Sequence, residues 1–278
     1  MTTLRLTVRA CVLTALLTTA IAVVAASGAA AATFYVNERD GSDAHSCKGP
    51  GPTEVCLTIG AAVTKAEAVS GPNTIEVAEG EYAKSVSLTS EKDKGLTIVG
   101  GEPGVQIIGE AGKAALTVGG EAGAVTISNL TIANRTGTHA IADGGAALTL
   151  DNVTVQDEAG ENGIEAKKPS SLTINGGHIS VEAGGYAVLA EETPLVIDNT
   201  LITVGEQSES NAGGIESTRS HLSLQSSRVD IESGKTEFGQ AILAMEDGSV
   251  LLQGVTVRQN DSLAPGIVLE ASPTTANG

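Results

Sequence analysis

Apolar residues recur along this chain in short alternating phrases. VTISNLTI starts at Val125, LTLDNVTV at Leu148, LTINGGHISV at Leu172, LVIDNTLITV at Leu195, LSLQSSRVDI at Leu222 and VLLQGVTV at Val250. The starts are 23, 24, 23, 27 and 28 residues apart, a recurrence that marks a solenoid. Between them lies a third apolar stretch: HAIAD, NGIEA, YAVLA, GGIES, QAILA and PGIVL. Its inward residues are Ile141, Ile164, Val188, Ile215, Ile242 and Ile267. Three short strands per turn leave no room for a helix, so the period predicts a parallel β-helix. Side chains alternate in a strand, so Leu148 and Leu150 face the core and Thr149 faces out.

The break inside each phrase is a corner. Asn129, Asn152 and Asn199 occupy it, and Gly176, Ser226 and Gly254 take the same position in other coils. Asn and Gly tolerate the left-handed backbone that a sharp corner needs. These Asn residues read as a structural ladder turned inward, which would make the sequons at Asn129 and Asn152 inaccessible. Ile75, Val77, Val86, Leu88, Leu96, Ile98, Val105, Ile107, Leu116 and Val118 read as earlier, less regular coils. About eight coils at about 4.8 Å each give a rod about 38 Å long.

The segments outside the rod have their own patterns. Residues 1–32 carry Arg5 and Arg9, then an apolar run, then a small-residue end, which is the form of a secretory signal peptide. Residues 33–72 form an N-terminal cap. In it Ile59, Ala62, Val63, Ala66 and Val69 fall on one face of a helix that covers the first coil. The solenoid occupies 73–270 and a flexible tail 271–278. IVLEASPTTANG supplies no amphipathic helix after the last strand, so the end around Val257 and Ile267 is expected to be poorly covered and open to self-association.

Composition sharpens this picture in three ways. Aromatic residues are few, with Phe34, Tyr35, Tyr82, Tyr186 and Phe238 in the whole chain and no Trp, as suits thin stacked layers. The net charge is −17, and loss of the signal's two Arg makes it −19, which argues against nucleic acid as a partner. Export leaves Cys47 and Cys56, expected to form a disulfide rather than a zinc site.

FYVNERDGSDAHSC, CLTIGAAVTKA and NTIEVAEGEY resemble the amino-terminal signature of secreted right-handed parallel β-helix proteins of the pectate-lyase-like superfamily. The resemblance implies an all-β, right-handed parallel β-helix with an N-terminal capping helix. It also implies an outer strand face on which the enzymes of that superfamily place acidic catalytic or calcium-binding residues. The strings N-T-D, D-D and R-I-K are absent here, and no calcium motif supports the ion, so no cofactor is expected.

The outward column of the third strand reads Ala142, Glu165, Leu189, Glu216, Leu243 and Val268. Glu165 and Glu216, two coils or about 9.6 Å apart, are the one carboxylate pair that suits an inverting glycosidase. Leu189 between them and the expected lack of an aromatic platform favour solvated glutamates. His139, His178 and His221 fall at different strand phases and promise no metal site. Outward Thr126, Thr149 and Thr173, with Thr131, Thr154, Thr203 and Thr256, raise ice binding as a minor reading. The expected function is a secreted, extracellular or cell-wall-associated rod without catalysis, binding polysaccharide or a cell-surface glycan. Its binding site is expected in the corner insertions QDEAGEN, GEQSESNAGG and ESGKTEFGQ. The alternative is a polysaccharide lyase or glycoside hydrolase. Finally, Lys168, Glu192, Arg219 and Glu246 each follow an inward third-strand residue by four, predicting one column of alternating charge.

Overall fold

The structure is a computed structural model that describes residues 31–101, 103–158, 161–168, 171–182, 185–205, 212–232, 240–246, 248–259 and 266–270. Residues 1–30, residues 271–278 and the centres of the three corner insertions lie outside the described residues, and with them the expected signal peptide, tail and corner binding site.

The chain winds as a right-handed β-helix of parallel strands. The aligned phrases stack in register: Val125, Leu148, Leu172, Leu195, Leu222 and Val250 are successive partners, and so are Ile141, Ile164, Val188, Ile215, Ile242 and Ile267. The third face is an eight-stranded sheet. The first two faces count as one fifteen-stranded sheet, because Ala147–Asp157 and Ser171–Val181 run unbroken through their corner. Ile127, Leu150, Ile174, Ile197 and Leu224 rise through the core as one column and are fully buried. Each such contact joins like residues one coil apart, so β-branched and Leu side chains fill the layer without aromatics.

The corner between the first two faces is left-handed throughout. Asn129, Asn152 and Asn199 have φ of 55°, 53° and 50°, and Gly176, Ser226 and Gly254 also have positive φ. The direction of the side chains differs from the expectation: all three Asn are exposed, and Asn152 Nδ2 donates to Asn129 Oδ1 at 3.1 Å on the outside of the rod. The left-handed residue swings its own Cβ outward, and the following residue (Leu130, Val153, Thr200) turns in.

The helix Ile59–Ala66 buries Ile59, Ala62, Val63 and Ala66, and the Thr58 side chain caps it by accepting from Ala61 N. Buried Asn73 fastens it to the first coil. Its amide donates to Ala66 O and Val69 O, each at 2.9 Å, and its oxygen accepts from Ala32 N at 3.2 Å. Cys47 and Cys56 are disulfide-bonded with Cα atoms 4.9 Å apart. Both cysteines also hydrogen-bond through their backbones to the strand Thr33–Val36. At the other end Ile267 and Leu269 are 42% and 51% exposed, and Val257 is partly buried.

Candidate functional site

The outer surface of the third face gathers most of the chain's chemistry. Its strands enter through two successive inward residues: Ala140 with Ile141, Ala187 with Val188, Ala241 with Ile242, all fully buried. Gly163 and Gly214 hold the same position in the other coils, where an added Cβ would run against Val181 and Val229 in the core. Two inward residues in a row return the preceding position to the outside. His139, Asn162, Tyr186 and Gly213 therefore form a second outer column beside Ala142, Glu165, Leu189 and Glu216.

Two contacts cross diagonally between the columns, from His139 and from Tyr186, each reaching the next coil. His139 Nε2 lies 3.4 Å from Glu165 Oε2, and Lys167 Nζ holds the other oxygen of Glu165 at 2.7 Å. That contact raises the Lys167 pKa. The His139 side chain is nine-tenths buried, and its Nδ1 has no partner among the described residues. One repeat further, the Tyr186 hydroxyl and the Glu216 carboxylate lie close enough to interact. The Tyr186 ring lies against Gly213, where any Cβ would collide with it, so glycine there seats the ring. Burial pushes the Tyr186 hydroxyl up to about 12, with the Glu216 charge adding to it. Glu216 is itself raised, first by burial and then by the charge of Glu191, while the Tyr186 hydroxyl pulls the other way.

Sequence reasoning placed Glu165, Leu189 and Glu216 in one column, where they stand. It missed Tyr186, an aromatic on a face expected to have none, and it missed His139 and Lys167 at Glu165. Strict alternation put positions 139 and 186 inside. The signal was the small residue before each large one: Ala140, Gly163, Ala187, Gly214 and Ala241.

Above Glu165 the same column continues as Ala142, Thr117 and Ser87, which floor a hollow of about 420 Å³ edged by the Lys113–Glu110 ion pair. Below it, Lys168, Glu192, Arg219 and Glu246 sit at the corner after the third strand with φ of 82°, 53°, 55° and 55°. Arg219 Nε meets Glu192 Oε1 at 3.1 Å and its Nη2 meets Glu191. No ion pair among the described residues involves Lys168 or Glu246.

On the first face the threonine ladder is longer than expected, running Thr33, Thr74, Thr97, Thr126, Thr149 and Thr173 before Val196, Ser223 and Leu251 interrupt it. On the second face Thr203 does not share a column with Thr131 and Thr154. His178 and Leu201 continue that column, and Thr203 stands in the next outward column with Gln156 and Ser180, because the register carries through the corner without an inserted residue. Among the described residues no three His, Cys, Asp or Glu side chains are grouped to hold a metal, and no helix is long and apolar enough to cross a membrane.

A search of the curated proteins finds no match. Residues 114–274, more than half of the chain, match the family described as the right handed beta helix region. With its parallel coils stacked in register, the chain belongs to the right-handed β-helix family.

Proposed function

We propose that the mature chain is an exported, non-catalytic rod that binds a glycan along the outer surface of its eight-stranded sheet. The observation that carries this reading is Tyr186, whose ring is seated on Gly213 with its hydroxyl beside Glu216. An aromatic ring beside a hydrogen-bonding carboxylate offers a sugar both an apolar platform and an acceptor. Polar Glu165, His139 and Thr117 extend the face on one side, so an oligosaccharide lying along the rod meets acceptors and donors in several coils. The leader with Arg5 and Arg9 ahead of an apolar, Ala-rich run, the disulfide and the resemblance to the pectate-lyase-like superfamily support export. A glycan array probed with purified chain 33–278 tests the reading: binding that Tyr186→Ala reduces at least tenfold supports it, and an array without signal rejects it.

One observation favours a second reading. Glu216 is raised and Glu165 is held by a lysine, the asymmetry that an acid and a base require. With about 9.6 Å between their coils, such a pair would serve hydrolysis with inversion. Leu189 stands between the two carboxylates, where the attacking water and the sugar would need polar support. Release of reducing ends that Glu216→Gln abolishes would establish hydrolysis.

A further inference from the structure

The charge pattern of this face selects among glycans. Most cations near it are already held by a carboxylate: Lys167 by Glu165, Arg219 by Glu191 and Glu192, Lys113 by Glu110, while Lys168 at the corner after the strand is in no ion pair among the described residues. A polyuronate would have to break these pairs and approach a chain of net charge −17. Glu216 is the exception among these glutamates. Its partner is the neutral Tyr186 hydroxyl, no cation faces it among the described residues, and Glu191 repels it from the adjoining column. A half-buried carboxylate beside an aromatic ring is the arrangement that an ammonium group satisfies, by a charge-assisted hydrogen bond and by the ring's negative face.

From this juxtaposition of Glu216, Tyr186 and Gly213 we infer that the ligand is a cationic glycan, an amino-sugar polymer with free amines. One acceptor subsite lies at Glu216. The inference rests on the glycan-binding reading above and adds the class of sugar. A cationic ligand also accounts for the excess of glutamate on the face: Glu165, Glu191 and Glu192 hold the protein's own cations in place, while the net negative potential draws a polycation along the rod. The basic side chains of a peptide would satisfy Glu216 alone but would leave the hydroxyl-bearing floor of Thr117 and Ser87 without partners.

The test is calorimetric titration of chain 33–278 with four oligomers of equal length: glucosamine, N-acetylglucosamine, glucuronate and lysine. The glucosamine oligomer should bind at least tenfold more tightly than the other three. Glu216→Gln should remove about tenfold from that affinity and weaken the N-acetylated oligomer far less, while circular dichroism shows the fold intact. Glu165→Gln, which frees Lys167, should shift the preference toward glucuronate. Equal binding of the free and acetylated oligomers overturns the inference while keeping the glycan reading, and so does tighter binding of glucuronate. Lysine oligomers binding as tightly as glucosamine show a general polycation effect and overturn it too. Silence from all three sugars rejects the glycan reading itself.

Discussion

Arg219 Nε lies 3.1 Å from Glu192 Oε1 although 27 residues separate them. The contact exists because each occupies the left-handed corner after its third strand, one coil apart, and backbone bonds from Arg219 N to Met245 O and from Glu192 N to Thr218 O carry the corner from coil to coil. Both side chains are well exposed, so the pair acts on register more than on stability.

Reversing the charge tests that role. Arg219→Glu places a third carboxylate against Glu191 and Glu192, and the midpoint of urea unfolding should fall in low salt. At 1 M salt, where screening acts within about 3 Å, most of the loss should vanish. A loss independent of salt would mean that Arg219 acts through packing.

Glu216 makes stability depend on pH in a stated direction. Its folded pKa is raised from 4.5, so the stability it contributes is present below its unfolded pKa and is lost as pH rises through its folded value. Glu216→Gln keeps an acceptor beside Tyr186 and carries no charge. It should therefore raise the melting temperature at pH 7 and leave it unchanged at pH 3.5. A variant less stable than the parent at both values would contradict the assigned shift.

The corner ladder separates backbone from side chain. Asn152→Ala forces a Cβ-bearing residue without an amide into φ 53° and should cost about 1–2 kcal/mol, whereas Asn152→Gly keeps the conformation at ease. Glycine less destabilising than alanine in denaturant titration is the expected order. The reverse order would assign the corner to the amide ladder.

At the cap, Asn73→Ala leaves the carbonyls of Ala66 and Val69 without their donor and Ala32 N without its acceptor, at about 1–3 kcal/mol. Reducing Cys47–Cys56 should cost about 2–3 kcal/mol through the freed loop. If the two are coupled through the strand Thr33–Val36, the doubly altered protein should lose less than the two losses added, a difference that a double-mutant cycle measures.

The recurrence of Leu-Thr-Leu made the coils, their register and the inward residues legible, because stacking forces each position to repeat its neighbour's chemistry. The outer surface of the third face was half legible. Glu165 and Glu216 follow from simple alternation, but Tyr186 depends on a local break in alternation where Ala187 and Val188 both turn inward. The Asn direction was misread for a related reason: the propensity of Asn for a left-handed backbone says nothing about which side its Cβ then takes, and the handedness of the turn decides that. Lys167 was overlooked although it was legible, since it lies two residues beyond Glu165 in the same strand and alternation puts both on one face.

The step of 23 to 28 residues between paired strands has a consequence for how this molecule can change. Every coil touches only the one before and the one after, so removing one complete turn, such as Leu148–Ser171, would bring Val125 directly onto Leu172 with the same residue types facing each other. Length is thus a copy number: the rod works as a ruler whose gradations can be added or deleted, and the spacing between its outward-facing side chains can be reset without redesigning the rest of the protein.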